Sequence, residues 1–169
     1  MTAPAPADRD VATDTSLLVN FLRIDRMDIL GVLPGFRFCV LNHVIGEVTQ
    51  EPHAARLQAA LAEGHVVEFE LTDLRAISDY DERRQNLADG ESATISAGAH
   101  EQWVIGMDEK SRAKREAIAR VGEHNLLNTP GVLVHAVHVE VLTLAEAEQI
   151  RLDLADENYV IKPLIADLV

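Results

Sequence analysis

Five short apolar segments alternate with helical patterns along the chain, and this alternation constrains the fold more than any other feature. The segments that we interpret as strands are residues 11–13, 36–41, 66–71, 103–107 and 124–127. The stretches between them carry apolar residues at helical spacing, such as Leu17, Leu18 and Phe21 after the first strand. Strands that alternate with helices are typical of a parallel sheet covered on both faces. We therefore predict an α/β three-layer sandwich with a five-stranded, mostly parallel sheet.

Length and composition favour one globular domain without a membrane segment. A chain of 169 residues is the size of a single domain, to which we assign residues 11–169. Residues 1–10 lack the basic start and apolar centre of a secretory signal, and we predict a disordered leader there. No apolar run approaches the roughly 20 residues that span a bilayer. A single cysteine, Cys39, lies in an apolar run and is typical of a buried thiol in a reducing cytoplasm.

Four carboxylates stand at positions that this fold would bring to one edge of the sheet. Asp14 follows the first predicted strand directly, and Asp108 follows the fourth. Glu47 and Glu91 lie in early turns of helices that run from the same edge. In open α/β sheets, ligands bind beyond the carboxyl ends of the strands, near the point where strand order reverses. We therefore expect the four acids, from four separate segments, to converge on one site.

Each of these acids also has an ordinary structural interpretation. An Asp directly after a strand is often the N-cap of the next helix, and this alternative stays open for Asp14 and Asp108. Residues 87–93 (LADGESA) lead into a helix predicted over 90–100, with Asp89 as its N-cap. Glu91 then lies in the first turn, where the helix dipole favours any acid. Only the convergence of all four acids favours a site over these separate roles.

Four carboxylates in one place require something that offsets their repulsion. Two of them about 4 Å apart repel by about 4 kcal/mol at an effective dielectric constant near 20. A fold stabilised by only about 5–15 kcal/mol would not hold four together without protonation or a bound cation. Ligand sets made only of oxygen suit Mg²⁺ or Mn²⁺, which commonly bridge to phosphate groups. The formal charge of −13 fits a site that concentrates carboxylates around a cation.

An ordered series of short motifs over residues 10–155 resembles the PIN-domain family, and its last two motifs resemble a subgroup of small prokaryotic, toxin-like PIN proteins. In chain order the motifs are Asp14-Thr15-Ser16, Glu47 within 44–48 (VIGEV), Gly90-Glu91-Ser92, Met107-Asp108-Glu109 and 128–133 (NTPGVL). The resemblance implies a five-stranded parallel sheet and Mg²⁺- or Mn²⁺-dependent cleavage of RNA. It also implies an antitoxin protein as a partner and a homodimer as an expected assembly.

The same resemblance assigns roles to individual residues. The metal-binding and catalytic acids correspond to Asp14, Glu47, Glu91 and Asp108, with Glu109 as an accessory ligand. Ser16 corresponds to a hydroxyl that orients the first Asp, and Thr129 to a small polar residue beside the site. The leading hypothesis is therefore an endoribonuclease in which a metal-activated water attacks the phosphodiester.

Two other functional hypotheses remain open from the sequence alone. One is a PIN-like module without turnover that acts through a protein partner, because broad attraction to nucleic acid depends on Lys and Arg and this chain is acidic. The other is a nuclease that acts on DNA. Arg112 and Arg115 follow Asp108 closely and are candidates for binding RNA phosphates, but they also fit the solvated face of an amphipathic helix.

Overall fold

A computed structural model describes residues 7–164, and within them it contains one five-stranded sheet in which all strands are parallel. The strands are β1 (Arg9–Thr13), β2 (Phe36–Leu41), β3 (Val67–Phe69), β4 (Val104–Gly106) and β5 (Leu126–Leu127). Their spatial order is β3-β2-β1-β4-β5, so β3 and β5 are the edge strands. The predicted α/β fold class is confirmed.

Nine helices lie between and after the strands in the described residues. They are α1 (Thr15–Arg23), α2 (Asp28–Val32), α3 (Asn42–Glu47), α4 (His53–Glu63), α5 (Leu74–Arg83), α6 (Asp89–Glu101), α7 (Arg112–Val121), α8 (Thr129–His138) and α9 (Leu144–Asp156). A 3₁₀ turn, Glu123–Asn125, precedes β5. Within residues 7–164, no helix combines the length and the apolarity that a membrane crossing requires.

Neighbouring residues of β4 show that helices cover both faces of the sheet. A Cβ atom at Gly98 of α6 would collide with the side chain of Ile105, so α6 packs closely on the face to which Ile105 points. A Cβ atom at Gly106 would instead lie 3.4 Å from Leu17 of α1. Because successive residues of a strand point to opposite faces, α1 and α6 lie on opposite sides of the sheet. The three-layer arrangement follows from this alternation.

The strand order reverses between β1 and β4. From β1 the chain proceeds outward through β2 to β3, and it then returns to form β4 on the other side of β1. The register pairs Val11 with Val104 and Ala12 with Ile105. Crossovers that diverge from a reversal point leave a crevice at the carboxyl ends of the two central strands. The segments that follow Thr13 and Gly106 line this crevice.

Several boundaries differ from those predicted: the strands expected over 66–71, 103–107 and 124–127 are shorter, and the starts of β1 and α7 are displaced. β1 begins at Arg9, and the Asp8 carboxylate accepts a hydrogen bond from the Gly35 amide at 3.0 Å. The leader predicted over 1–10 therefore ends too late, because residues 9 and 10 pair with β2, and its first six residues lie outside the described part of the chain. The apolar spacing of residues 109–121 predicts a helix that starts at Glu109, but α7 begins at Arg112, because the Ser111 hydroxyl caps it by accepting from the Ala113 amide. Residues 108–110 therefore form a loop.

Candidate metal centre at the strand-order reversal

A cavity of about 390 Å³ opens at the crevice between the ends of β1 and β4. All four predicted acids line it, and so do the predicted accessory acid and the predicted positioning serine: Asp14, Glu47, Glu91, Asp108, Glu109 and Ser16. We call this space the acid cavity. The four acids come from four separate segments of the chain, as the sequence pattern predicted.

Asp14 is the most deeply buried of the four acids. It is 2% exposed and caps α1, because its Oδ2 accepts from the Ser16 amide at 3.1 Å and from the Ser16 hydroxyl at 2.5 Å. Its Oδ1 is buried and has no hydrogen-bond partner among the described residues. Burial raises the pKa of Asp14 from 3.8 to about 6, against the lowering effect of the Ser16 hydrogen bonds, and the charges of Glu91 and Glu47 raise it further.

Ser16 connects the ends of the two central strands. Its hydroxyl donates to Asp14, which follows β1, and accepts from the backbone amide of Asp108, beyond β4, at 3.0 Å. The predicted role of orienting the first Asp agrees with this geometry. One small side chain thus holds the two aspartates at fixed positions on either side of the crevice.

Asp108 accepts hydrogen bonds from three other elements of the fold. Its Oδ1 accepts from the Thr129 amide at 2.9 Å and the Tyr159 hydroxyl at 2.5 Å. Its Oδ2 accepts from the Thr129 hydroxyl at 2.5 Å and from the side-chain amide of Asn20 at 3.1 Å. The carboxylate lies two residues beyond β4 rather than directly after it, which gives it the reach to meet the start of α8. Its orientation is therefore fixed by α1, α8 and the segment after α9.

Glu47 joins α3 to the first turn of α6. It is the last residue of α3, and its Oε1 accepts from the Gly90 amide at 2.7 Å while its Oε2 accepts from the Thr15 hydroxyl at 2.6 Å. A Cβ atom at Gly90 would collide with this carboxylate. Position 90 therefore requires glycine for close approach, and Glu47 supplies the negative charge that a helix N-terminus favours.

Glu91 lies in the first turn of α6, but the N-cap differs from the one predicted. Ala88 is the N-cap, and Asp89 is the first helical residue, whose carboxylate accepts from the Tyr80 hydroxyl at 2.5 Å. Glu91 Oε2 accepts from the Ala88 amide at 3.1 Å, so the ordinary first-turn role is real. Partial burial raises the pKa of Glu91 above its usual value; the Ala88 bond opposes this effect, and nearby acids, Glu109 foremost, add to it.

The donor set fits a hard divalent cation. Every predicted ligand offers carboxylate oxygen, which Mg²⁺ and Mn²⁺ prefer, and Asp14 presents a buried oxygen that no other described residue hydrogen-bonds. The raised pKa of Asp14 shows that its charge is poorly compensated by the surrounding protein. Among residues 7–164, however, no three His, Cys, Asp or Glu side chains are already close enough together to hold a metal ion. The acids line one cavity without forming a preassembled cage.

Sequence reasoning missed four polar residues that line the acid cavity: Thr15, Asn20, Arg23 and Tyr159. Asn20 had a signal, because it is a polar residue beside the apolar stripe of α1, and it is 2% exposed. No sequence pattern pointed to Tyr159, because only the return of the chain after α9 brings its hydroxyl to Asp108. Arg23, the last residue of α1, is a basic side chain at the rim of the cavity.

The structure does not bring Arg112 or Arg115 into the acid cavity. Arg112 pairs with Glu116 at 2.9 Å and lines a separate groove between α5 and α7, and Arg115 is exposed on α7.

Chemically, the acid cavity offers oxygen ligands and hydrogen-bonded carboxylates of fixed orientation. In comparisons with known proteins, no family model, curated protein or solved structure matches the chain.

Proposed function

We propose that the protein is a PIN-like, metal-dependent endoribonuclease that works in the cytoplasm. One observation carries the proposal: acids from four separate segments line one cavity at the strand-order reversal, and a buried oxygen of Asp14 there has no hydrogen-bond partner within residues 7–164. A divalent cation would offset the unfavourable burial of that carboxylate. The ordered motifs that resemble the PIN family support the same assignment.

Asp14, Glu47, Glu91 and Asp108 would hold Mg²⁺ or Mn²⁺, with Glu109 as an accessory ligand. When bound, such an ion polarises a phosphodiester and lowers the pKa of coordinated water. The chain's own contribution is orientation. Ser16 holds Asp14, and the hydroxyl and amide of Thr129 hold Asp108.

The substrate is proposed to be RNA, with a local basic rim in place of general electrostatic attraction. A net charge of −13 opposes broad binding to nucleic acid, so contacts must come from particular side chains such as Arg23 at the cavity edge. A more specific form of the proposal makes the protein the toxin of a toxin–antitoxin pair, with the homodimer that the family resemblance implies.

The test compares the purified parent with Asp14→Asn on a labelled single-stranded RNA and its DNA counterpart. The parent is expected to cut RNA only with Mg²⁺ or Mn²⁺, and Asp14→Asn is expected to lose cleavage while remaining folded by circular dichroism. Asp156→Asn, at an exposed position at the end of α9, is the matched control and should cut like the parent. An Asp14→Asn variant as active as the parent would refute the role, and preferential cleavage of the DNA would reassign the substrate.

The second candidate function is a module without turnover that acts through a protein partner. It is favoured by one observation, that four hydrogen bonds already occupy the Asp108 carboxylate. Digestion of RNA by the isolated chain, dependent on Mg²⁺ or Mn²⁺, excludes this alternative. Absence of cleavage together with capture of a defined partner would favour it.

A further inference from the structure

The three lysines of the chain surround one cavity. Lys110, Lys114 and Lys162 all line a space of about 240 Å³ that adjoins the acid cavity. We call it the lysine cavity. The chain has 28 acidic residues and only three lysines, and all three lysines line this one cavity.

The lysines come from three separate segments. Lys110 lies in the loop after β4, Lys114 in the first turn of α7, and Lys162 in the segment after α9. Sequence proximity explains the first two but not the third. The fold therefore brings Lys162 to the others through the same return of the chain that places Tyr159 beside Asp108.

These lysines are not used in ion pairs within residues 7–164, whereas most arginines are. Nine of the twelve arginines have a carboxylate within 4.0 Å, and the three lysines have none in that part of the chain. Among the described residues their ammonium groups therefore have no carboxylate partner, and they are available to an external anion.

The start of α7 strengthens the positive field of the lysine cavity. A helix N-terminus carries a partial positive charge and favours acids, yet the first turn of α7 contains no acid and does contain Lys114. A cation there opposes the helix dipole and costs stability, typically about 0.3–1 kcal/mol. Two sources of positive potential thus coincide, which suits an anion between them.

The lysine cavity shares part of its wall with the acid cavity. Both are lined by Asp108, Glu109 and Tyr159. The Asp108 charge is directed into its four hydrogen bonds, so Glu109 is the negative group that remains to face an incoming anion. The volume lies below the roughly 300–1,000 Å³ of pockets that enclose whole organic ligands, and it suits a phosphate group with part of its sugar.

We propose that the lysine cavity binds a backbone phosphate of the RNA strand, next to the phosphate that lies in the acid cavity. This inference rests on the proposed nuclease function and specifies how an acidic protein holds a polyanion. The lysines position the strand: they bind the neighbouring phosphate and take no part in the chemistry at the scissile one. Lys162 makes the segment after α9 a part of the substrate site.

The test measures RNA binding and cleavage after removal of the three charges. Lys110→Gln, Lys114→Gln and Lys162→Gln are combined in one variant. The matched control removes three surface charges elsewhere, through Arg37→Gln, Arg75→Gln and Arg84→Gln. Binding of a single-stranded RNA is measured over a salt series in the Asp14→Asn background, which prevents cleavage, and thermal melting verifies the folding of each variant.

The lysine variant is expected to bind RNA more weakly. The slope of log affinity against log salt is expected to become less steep by about 0.7, the value for one phosphate contact on a single strand. With Asp14 intact, its KM is expected to rise while kcat stays near the parent value. Equal losses in the lysine and arginine variants would overturn the proposal, because a general charge effect would explain both. An unchanged KM would also overturn it.

Failure of this inference and failure of the nuclease function give different results. Metal-dependent cleavage by the parent together with unchanged RNA affinity of the lysine variant overturns the lysine site alone. A parent that neither binds nor cuts RNA overturns both. If inorganic phosphate raises the melting temperature of the parent but not of the lysine variant, while RNA affinity is the same for both, the cavity takes a free anion and the strand-binding proposal is wrong.

Discussion

Replacing Asp14 by asparagine should change how stability depends on pH. The folded state raises the pKa of this carboxyl from 3.8 to about 6, so between these values the folded state binds more protons than the unfolded state. Stability due to Asp14 therefore falls as pH rises through this window, and the loss is complete above about pH 6. At about 1.4 kcal/mol for each pKa unit, the ionised carboxylate costs the fold about 3 kcal/mol at neutral pH.

The asparagine variant removes this cost because its amide does not ionise. The altered hydrogen bonds from Ser16 add a constant offset, because asparagine does not ionise at any pH in the measured range. The difference in unfolding free energy, Asp14→Asn minus parent, should therefore rise by about 2 kcal/mol between pH 4.5 and pH 7.5. Urea unfolding followed by circular dichroism at several pH values measures it, with Asp156→Asn as the control. A difference that stays constant across this range would refute the reasoning.

Two further substitutions test the contacts that hold the acids. Gly90→Ala should destabilise the protein by about 1–3 kcal/mol in urea unfolding, because its Cβ would collide with Glu47. The control is Gly46→Ala, where nothing lies within 4 Å of the added Cβ, and it should be neutral or stabilising by up to about 1 kcal/mol. Equal effects of the two substitutions would contradict the proposed close contact at position 90. Tyr159→Phe should cost about 1–2 kcal/mol by removing the hydrogen bond to Asp108, and an unchanged urea midpoint would show that this bond contributes nothing.

Hydrophobic periodicity was sufficient to predict the sheet. Apolar runs bounded by turn residues located β2 and β4, and alternation with helices implied parallel pairing and crossovers. Two of the boundaries that differed from the prediction depend on particular contacts. The Ser111 hydroxyl delays the start of α7, and pairing with β2 extends β1 back to Arg9. The energy of such a local contact is similar to the differences in secondary-structure propensity between residues. A pattern of apolar residues carries no information about these contacts.

The positions of the acids were predictable because they depend on topology. Residues that follow parallel strands share an edge whatever their side chains do, so Asp14 and Asp108 had to meet there. Their hydrogen-bond partners depend on long-range packing. Tyr159 reaches Asp108 only because the chain turns back after α9, and Glu47 reaches the Gly90 amide only because position 90 has no side chain.

The proposed function depends on a divalent cation held by the acids of the acid cavity. Anomalous X-ray diffraction from crystals grown with Mn²⁺ tests it most directly, because the anomalous signal identifies manganese atoms by position. We expect a peak in the acid cavity within bonding distance of Asp14 Oδ1, and no such peak in crystals of Asp14→Asn grown in the same solution. An empty acid cavity in the parent, or a manganese peak that persists in Asp14→Asn, would contradict it.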